Sequence, residues 1–504
     1  MANHWAAYWC ALLVYLTMIP VPIGIIGAWR WGIWGMRRCI GAFYRPLPPT
    51  DYKPRTSLVI PVYNEAPDVF RAALRSWAAN QPTEIIAVID HSDQQCMQIF
   101  RDFEQECAGR GLELKMIVTK KPGKRPALVD GMMRSSGEII FLVDSDTIWA
   151  PDVLVNAIAP FVDPTVGGVT TRQSVLAPNS LAQRLFDVYL DIRYIDEIRF
   201  LTAFEDTPFG DAVTCLSGRT AVYRRSAVLP VLDGLLQETF FGRRVISGDD
   251  KALTLLVQAQ GWKVRYQETA RVYTPGATEM KSFLKQRLRW ARNSWRADLR
   301  ALVSSWAWRK PLLVFHLLDR LAQPLTTLIG PLYLISALIQ QHWSVVAFLL
   351  FWWLVSRTVK IWPHIRRNYR NIKILPWYVF FSYWTAIVKI YAFFTMNQQG
   401  WITRWNQNRL SLAGPLRLVP GYAFTCLTLV VFAWVVNGVH YQSVAYASSS
   451  VQEVKAVVQR SASTYATLAT TWQSWFPAYC PASPDLYATP RLTQTDAVPL
   501  AGTP

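Results

Sequence analysis

Four short apolar stretches decide the fold: SLVIPV at residues 57–62, EIIAVI at 84–89, LKMIV at 114–118 and EIIFLV at 138–143. The segments between them have the spacing of helices. Alternation of buried strands with helices is typical of an α/β domain built on a mostly parallel sheet. In such sheets the ligand site lies beyond the carboxyl ends of the strands, so the residues that follow these stretches are expected to share one crevice.

Apolar runs long enough to cross a bilayer flank this region on both sides. The first covers residues 5–29 and is followed, not preceded, by Arg30, Arg37, Arg38 and Arg45. A signal peptide has the opposite arrangement, so we predict an uncleaved anchor whose N-terminus lies outside. After the α/β region, three more segments are predicted to be spans: Leu312–Ile339, Trp343–Val359 and Val419–Val439.

The apolar segment Trp377–Phe394 is expected to stay on one side of the membrane. The basic stretch 364–373 precedes it, and Arg404 and Arg409 follow it. Because basic loops stay in the cytoplasm, both flanks are predicted to lie inside, which leaves no crossing between them. We therefore interpret this segment as an interfacial or re-entrant helix.

The composition narrows the function before any motif is considered. The net charge is +18, from 52 Lys and Arg against 34 Asp and Glu, and such a balance suits nucleic acid, anionic lipid or an acidic small substrate. Much of the excess lies beside apolar segments, as at Arg37-Arg38 and Arg366-Arg367, which is typical of cytoplasmic loops. We find no Lys/Arg run interleaved with stacking aromatic residues in a soluble domain, so nucleic acid is disfavoured as a partner. The seven cysteines form no C-x-x-C pair, which disfavours a zinc site or a disulfide framework.

Asp144 and Asp146 lie directly after the EIIFLV stretch, in the sequence VDSDT. Two carboxylates one residue apart in the loop after a strand can meet at one divalent cation, and Mg²⁺ or Mn²⁺ prefers such oxygen ligands. Such a cation can bridge the diphosphate of a nucleotide sugar. The alternative is a solvated strand end, since D-x-D is common, so this motif does not decide the function alone.

Two further motifs place charge at the start of a predicted helix. In KPGKR, residues 121–125, a glycine flanked by cations precedes a helix expected to begin near Pro126, which can cradle a phosphate or form a basic surface turn. In SGDD, residues 247–250, two carboxylates precede the helical stretch KALTLLVQAQ. Asp249 and Asp250 either cap that helix or act as a general base on a sugar hydroxyl.

The motif QRLRW contains Gln286, Arg289 and Trp290, which share one face of a helix. That face offers a hydrogen bond, a phosphate-binding fork and a flat ring for stacking on a sugar. The alternative is an amphipathic interfacial helix whose Arg extends toward the membrane surface.

The order of the motifs is more specific than any one of them. SLVIPVYNE, VIDHSD, KPGKRPAL, VDSDT, CLSGRTAVYRR, SGDD and QRLRW follow one another between apolar spans. This order resembles the processive family 2 glycosyltransferases, which include hyaluronan, chitin, chitooligosaccharide, curdlan and cellulose synthases. The resemblance covers residues 55–410, and the layout is most similar to the nodulation chitooligosaccharide synthase. QGWITR at 399–404 resembles the family's gating loop, although hyaluronan synthases usually have Trp-Gly-Thr-Arg and this chain has Ile402.

The resemblance implies an inverting transfer in which Asp250, with Asp249 beside it, is the base that deprotonates the acceptor hydroxyl. It implies a metal site for Mg²⁺ or Mn²⁺ at Asp146 and Asp144. The donor would be bound by Asp90, Lys124, Asp144, Asp146, Gln286, Arg289, Trp290, Trp401 and Arg404. The acceptor would be bound by Ser217, Gly218, Arg219 and Trp290, although Arg219 is unusual for the family.

The expected fold class is α/β, with a GT-A-type nucleotide-sugar-binding domain inserted between transmembrane helices and accompanied by interfacial amphipathic helices. We expect a transmembrane anchor at 1–36, a cytoplasmic GT-A domain at 46–300, transmembrane and interfacial helices at 301–440 with a gating loop near 397–405, and an extracytoplasmic, partly disordered tail at 441–504.

The expected function is that of a multi-pass membrane enzyme that polymerises sugar from a UDP-sugar and secretes the polysaccharide through its own channel. Its partners would be the UDP-sugar donor, the growing polysaccharide and the lipid bilayer. Two alternatives remain open: a non-processive glycosyltransferase with a lipid-linked acceptor, and a transporter with a nucleotide-binding domain.

Overall fold

The computed structural model describes residues 21–109, 111–367, 369–398 and 420–434, together with Ser463 and Thr467. The strands in this part are β1 Thr56–Val62, β2 Glu84–Asp90, β3 Glu113–Thr119, β4 Ile139–Val143, β5 Ile148–Trp149, β6 Val166–Val175, β7 Thr220–Arg224, β8 Thr239–Phe240, β9 Arg243–Arg244 and β10 Lys263–Thr274.

The α-helices are α1 Val21–Gly41, α2 Pro67–Ala79, α3 Gln94–Glu106, α4 Lys124–Arg134, α5 Val153–Ile158, α6 Leu181–Ile192, α7 Arg199–Leu201, α8 Arg225–Val228, α9 Leu232–Gln237, α10 Asp249–Ala259, α11 Met280–Leu302, α12 Pro311–Ile339, α13 Trp343–Arg367, α14 Leu375–Phe394 and α15 Pro420–Trp434. A π-helix covers Arg193–Ile198, and short 3-10 helices cover Ala159–Val162, Leu229–Val231, Ala307–Arg309 and Tyr369–Ile374.

Eight strands form one mixed sheet in the order β3-β2-β1-β4-β7-β6-β10-β5, and β8 and β9 form a separate hairpin. The neighbours β3, β2, β1 and β4 are parallel to one another, as are β6 and β10. The four predicted strands are confirmed as β1 to β4, with bounds that differ by one residue at most. The antiparallel β7, which lies between β4 and β6, was not predicted.

Helices cover both faces of this sheet. Phe70 and Leu74 of α2 and Phe100 of α3 belong to the core on one face, whereas Leu128 of α4 and Leu253 of α10 belong to the core on the other. The central strands β1, β2 and β4 are consequently buried along almost their whole length. Burial on both faces explains why their sequences are continuous apolar runs rather than alternating ones.

Glu84 closes the amino ends of β1 and β2. Its carboxylate accepts hydrogen bonds from Ser57 Oγ over 2.5 Å, Lys115 Nζ over 2.5 Å and Ser136 N over 2.6 Å. Burial by itself raises the pKa of Glu84, but the hydrogen bonds from Lys115, Ser57 and Ser136 outweigh this effect and lower the pKa to about 2. This buried anion stabilises the amino-terminal edge of the sheet, which lies opposite the carboxyl edge.

Helices α12 and α13 form an antiparallel hairpin around the turn at residues 340–342. Both are long and apolar enough to cross a membrane, by length and composition. The second was predicted to end at Val359, but the helix continues to Arg367. The polar residues at its end therefore extend the helix instead of forming a loop.

Several arginines that were expected to lie in cytoplasmic loops lie within helices and are paired with acids. Arg37 of α1 donates to Asp319 Oδ2 of α12 over 2.8 Å, and Arg30 contacts the same carboxylate. Arg38 lies 2.5 Å from Asp196 Oδ1 of the π-helix. These contacts attach α1 both to the apolar hairpin and to the α/β domain.

A second polar cluster joins α6 to α13. His364 Nδ1 lies 2.5 Å from Asp191 Oδ2, and Asp187 lies close enough to share a metal ion with them. Asp191 is already contacted by the guanidinium groups of Arg172 and Arg367. We interpret the cluster as an electrostatic contact between the domain and the hairpin, because two cations already neutralise its central carboxylate.

The segment predicted as an interfacial or re-entrant helix is helical, as α14. It packs against both members of the hairpin: Lys389 Nζ donates to Gln323 Oε1 over 2.7 Å, and the rings of Tyr383 and Trp353 lie 4.7 Å apart. Whether it crosses a membrane stays a prediction. The predictions for residues 5–20, for most of the gating loop and for the tail after 434 lie outside the described residues, apart from Ser463 and Thr467.

Candidate functional site

The loop after β4 brings two carboxylates to the carboxyl edge of the sheet. Asp144 and Asp146 follow the strand directly, and Thr147 N donates to the Asp144 carbonyl over 3.0 Å. The indole N–H of the buried Trp77 donates to the Thr147 carbonyl over 2.9 Å. The loop is thus fixed to α2, and both carboxylates line one large cavity.

Lys124 lies between two of the predicted acidic residues. Its Nζ is 2.6 Å from Asp144 Oδ1 and 3.2 Å from Asp249 Oδ2. Burial lowers the pKa of Lys124, but the two carboxylates raise it more, so the net pKa lies above its usual value. Helix α4 begins at Lys124 rather than near Pro126, so the positive end of the helix dipole adds to the charge of this ammonium.

Asp249 and Asp250 are the first two residues of α10, and the cap position belongs to Gly248, whose φ of +85° favours glycine. Neither acid is therefore the cap residue itself, although both lie in the first turn of the helix. Burial raises the pKa of Asp249, but Lys124 and Arg125 lower it further, to below its usual value. Asp250 accepts a hydrogen bond from the backbone N–H that follows it over 2.8 Å and lines the cavity.

Ser217, Gly218 and Arg219 approach the same acids from the segment before β7. A Cβ added to Gly218 would lie 3.1 Å from Lys124 Nζ and 3.7 Å from Asp144 Oδ1, so glycine permits this close approach. Arg219 Nη1 donates to a side-chain amide oxygen, Gln173 Oε1, over 3.0 Å.

Gln286, Arg289 and Trp290 of helix α11 all line the cavity, consistent with the prediction that they share one face of a helix. The Trp290 ring lies 5.5 Å from the Phe186 ring and 5.4 Å from the Arg219 guanidinium. The buried Gln286 Oε1 has no hydrogen-bond partner among the described residues. Burial lowers the pKa of Arg289, although nearby acids oppose this effect.

Asp90 is the last residue of β2, and its Oδ1 accepts hydrogen bonds from Ser92 N over 3.0 Å and from Ser92 Oγ over 2.6 Å. These bonds hold the carboxylate at the carboxyl edge of the sheet, where it lines the cavity.

The cavity has a volume of about 1340 Å³. It brings together every predicted site residue that the structure describes: Asp90, Lys124, Asp144, Asp146, Ser217, Gly218, Arg219, Asp249, Asp250, Gln286, Arg289 and Trp290. From there it continues between the apolar helices, where Gly330, Trp353 and Lys389 line it. Trp401 and Arg404, predicted to contact the donor, lie outside the described residues.

Two lining residues were missed by the sequence analysis. Glu65, in the motif that follows β1, accepts a hydrogen bond from Ser145 Oγ over 2.7 Å and thereby supports the loop that contains Asp144 and Asp146. Arg193 lies in the π-helix and donates to the Cys215 carbonyl over 3.0 Å. The position of Glu65 after a strand was a usable signal, whereas no pattern in the sequence indicates a π-helix.

The chain is also similar in sequence and in fold to known glycosyltransferases. Residues 54–293 match the sequence profile of the family described as "Glycosyltransferase like family 2". Residues 54–293 are therefore similar to a family 2 glycosyltransferase domain, and the protein is a transferase. A "Type 2 glycosyltransferase" of Pyricularia oryzae is 26% identical over 383 residues, which cover 71% of this transferase and 76% of the relative. An N-acetylglucosaminyltransferase of Mesorhizobium japonicum is 30% identical over 294 residues, which cover 57% and 66%.

Among solved structures, the transferase is similar to a mannosyltransferase from Pyrobaculum calidifontis in complex with GDP-Man and Mn²⁺. The TM-score is 0.51 at 20% identity, and the match covers 74% of this chain and 98% of that one. This likeness concerns the fold, which is a mixed α/β fold of the GT-A-like glycosyltransferase type.

Proposed function

We propose that the transferase is a membrane-embedded, processive enzyme that polymerises sugar from a UDP-sugar and releases the polysaccharide through its own helices. In this proposal residues 46–300 form the cytoplasmic catalytic domain, 1–36 form an anchor, 301–440 form the helices that enclose the product, and the tail at 441–504 lies outside.

The observation that carries the proposal is the continuity of the cavity. The same space is lined by Lys124 and Asp144 at the sheet edge and by Gly330 and Trp353 of the apolar hairpin. An enzyme that releases a soluble product needs no cavity between long apolar helices. A growing chain does, because it must remain bound while each new sugar is added.

The donor site is proposed at the carboxyl ends of β1, β2 and β4. Asp90 would contact the nucleoside, while Lys124 and the N-terminus of α4 would hold the diphosphate. Asp144 and Asp146 present carboxylate oxygens to the same cavity, and this set suits Mg²⁺ or Mn²⁺. A bound cation would neutralise the departing diphosphate.

The transfer itself is proposed as a single displacement with inversion. The carboxylate of Asp250 takes the proton of the acceptor hydroxyl, whose oxygen attacks the anomeric carbon from the face opposite the UDP. The bond between that carbon and the diphosphate oxygen breaks, and UDP leaves. The ammonium of Lys124 stabilises the negative charge that develops on the diphosphate.

The acceptor is proposed to lie against Trp290, which has Arg219 on one side and Gln286 one turn away on the same helix. The free Gln286 Oε1 would accept a hydrogen bond from an acceptor hydroxyl. Trp401 and Arg404 would close over the donor from the gating loop.

The proposal is tested with purified full-length protein in lipid nanodiscs. UDP release and polymer length are measured with UDP-glucose, UDP-N-acetylglucosamine and UDP-glucuronic acid, singly and in pairs, with GDP-mannose as a control donor. At least one UDP-sugar should give release together with a polymer. Release coupled only to a lipid-linked acceptor would replace the proposal with the non-processive alternative. No release above that of an Asp250→Asn variant with any donor would overturn it.

A further inference from the structure

Six basic side chains line the cavity without an ion-pair partner among the residues that the structure describes: Arg193, Arg219, Arg287, Arg357, Lys360 and Lys389. Apart from Asp250, the acids in the same part of the cavity are already paired with other side chains. Asp196 pairs with an arginine of α1, Glu197 with a histidine of α12 and Asp298 with a lysine of α10. Positive charge is therefore in excess where the cavity runs from Asp250 toward α13 and α14.

Three of these cations have hydrogen bonds to neutral groups. Arg219 donates to Gln173 over 3.0 Å, Lys389 donates to Gln323 over 2.7 Å, and Arg193 donates to a backbone carbonyl over 3.0 Å. A neutral acceptor satisfies one N–H group but supplies no opposite charge. A charge in a site shielded from water is strongly destabilising unless an opposite charge accompanies it.

Four of the cations lie over aromatic rings that also line the cavity or its wall: Arg219 over Trp290 at 5.4 Å, Arg287 over Tyr189 at 4.6 Å, Arg357 over Tyr383 at 5.5 Å and Lys360 over Trp31 at 5.5 Å. Contact with a ring face stabilises a cation less than a carboxylate does. The rings nevertheless offer the flat apolar surfaces on which sugar rings stack. The wall thus combines rings that suit the stacking of sugars with cations that have no ion-pair partner among the described residues.

The diphosphate of the donor does not account for these charges. The diphosphate would lie near Lys124, which is paired with Asp144. In contrast, Arg357 and Lys360 lie one turn apart on α13, and Lys389 lies on α14. The six cations come from five separate elements, so one phosphate group contacts only a few of them. A chain with an anionic group on successive sugars would present a negative charge to each of these elements in turn.

We propose that the growing chain carries carboxylates, and that a nucleotide-activated hexuronic acid is therefore among the donors. This inference rests on the proposed polymerising function and specifies its substrate class. Transfer breaks and forms bonds only at the anomeric carbon and the acceptor hydroxyl, so the carboxylate of each hexuronic acid remains on the product. Those carboxylates would pair with the cations as the chain moves along the cavity.

The first test measures binding without turnover. The full-length protein is placed in nanodiscs of neutral phosphatidylcholine, and a fluorescent glucuronic acid oligosaccharide is compared with its carboxyl-reduced counterpart of equal length and linkage. The acidic form should bind at least tenfold more tightly, and the difference should shrink as salt is raised. Equal affinities, or displacement of the acidic form by phosphatidylglycerol alone, would overturn the inference.

Variants then locate the effect. Arg357→Gln with Lys360→Gln should weaken binding of the acidic oligosaccharide at least tenfold and leave the reduced form unchanged. Lys360→Arg, which keeps the charge, should bind both forms like the wild type. Arg75→Gln removes an exposed cation of α2 that pairs with Glu106 and is the matched control, with no expected change. If the double variant keeps wild-type preference for the acidic form, the cations do not recognise carboxylates and the inference fails.

The second test examines the product. Polymer made with UDP-glucuronic acid in the donor mixture should be retained by an anion-exchange column, and omission of that donor should abolish elongation. A long neutral polymer made from a neutral donor alone would overturn the inference and leave the polymerising function in place. If no donor gives UDP release, the polymerising function fails, and the binding measurement still decides whether the cavity recognises carboxylates.

Discussion

Replacement of Asp250 by Asn distinguishes the roles of two neighbouring carboxylates, Asp249 and Asp250, whose surroundings differ. Asp249 is buried and lies 3.2 Å from Lys124, so its charge is used in an ion pair. Asp250 is half-buried, forms no ion pair among the described residues and lines the cavity. The hydrogen bond that its Oδ1 accepts from the following backbone N–H can also be accepted by the amide oxygen of Asn. We therefore expect Asp250→Asn to fold normally.

The expected loss of turnover follows from the missing proton acceptor. A positioned general base contributes about 10²- to 10⁴-fold, which is about 3 to 5 kcal/mol of activation free energy. Asp249→Asn is the matched control, because it removes a carboxylate from the same turn while leaving the base. It should lower stability by about 1.5 to 3 kcal/mol, the contribution of a hydrogen bond to a charged group, with a smaller effect on turnover.

The assay measures three quantities for both variants in nanodiscs: the rate of UDP release at saturating donor, the donor dissociation constant and the melting temperature. Asp250→Asn should change mainly the rate, and Asp249→Asn mainly the melting temperature. Near-normal turnover in Asp250→Asn would remove this residue from the mechanism. Equal loss of turnover in both variants would mean that the pair acts as one electrostatic unit rather than as a base and its neighbour.

Three further predictions concern the metal, the topology and pH. Excess EDTA should abolish UDP release and added Mn²⁺ or Mg²⁺ should restore it, while Asp146→Ala should lose both the metal response and donor binding; undiminished activity in EDTA would contradict the metal site. In a cysteine-free background, Arg370→Cys and Asn406→Cys should be protected from an impermeant thiol reagent on intact cells and Ser450→Cys should be labelled; labelling at 406 would mean that α14 crosses. The pKa of Glu84 is lowered in the folded protein from 4.5 to about 2, so its stabilisation is complete above pH 4.5 and is lost as the pH falls toward 2. Glu84→Gln should therefore lower the melting temperature at pH 6 and flatten its fall between pH 5 and 3, and an unchanged pH profile would refute this role.

The sequence determined the strands and the residues that follow them. Buried parallel strands appear as uninterrupted apolar runs, and their ends meet at one edge, so Asp90, Asp144 and Asp146 were predictable as neighbours. Helical spacing likewise predicted that Gln286 and Trp290 share a face. These are local consequences of period and direction, which the chain encodes over a few residues.

Tertiary structure alone decided which charged side chains form ion pairs with each other and which have no ion-pair partner among the described residues. Lys124, Asp144 and Asp249 are far apart in the chain. Their ion pairs form because helices α4 and α10 begin at the sheet edge where strand β4 ends. The same reason applies to Arg37, which the sequence suggested as a loop charge and the fold pairs with Asp319. The excess of cations along the cavity could not be predicted from the sequence either, because the net charge does not show which acidic partner each cation meets in the fold. Electrostatic pairing depends on distances of a few ångströms between distant segments, and these are fixed only when the helices pack.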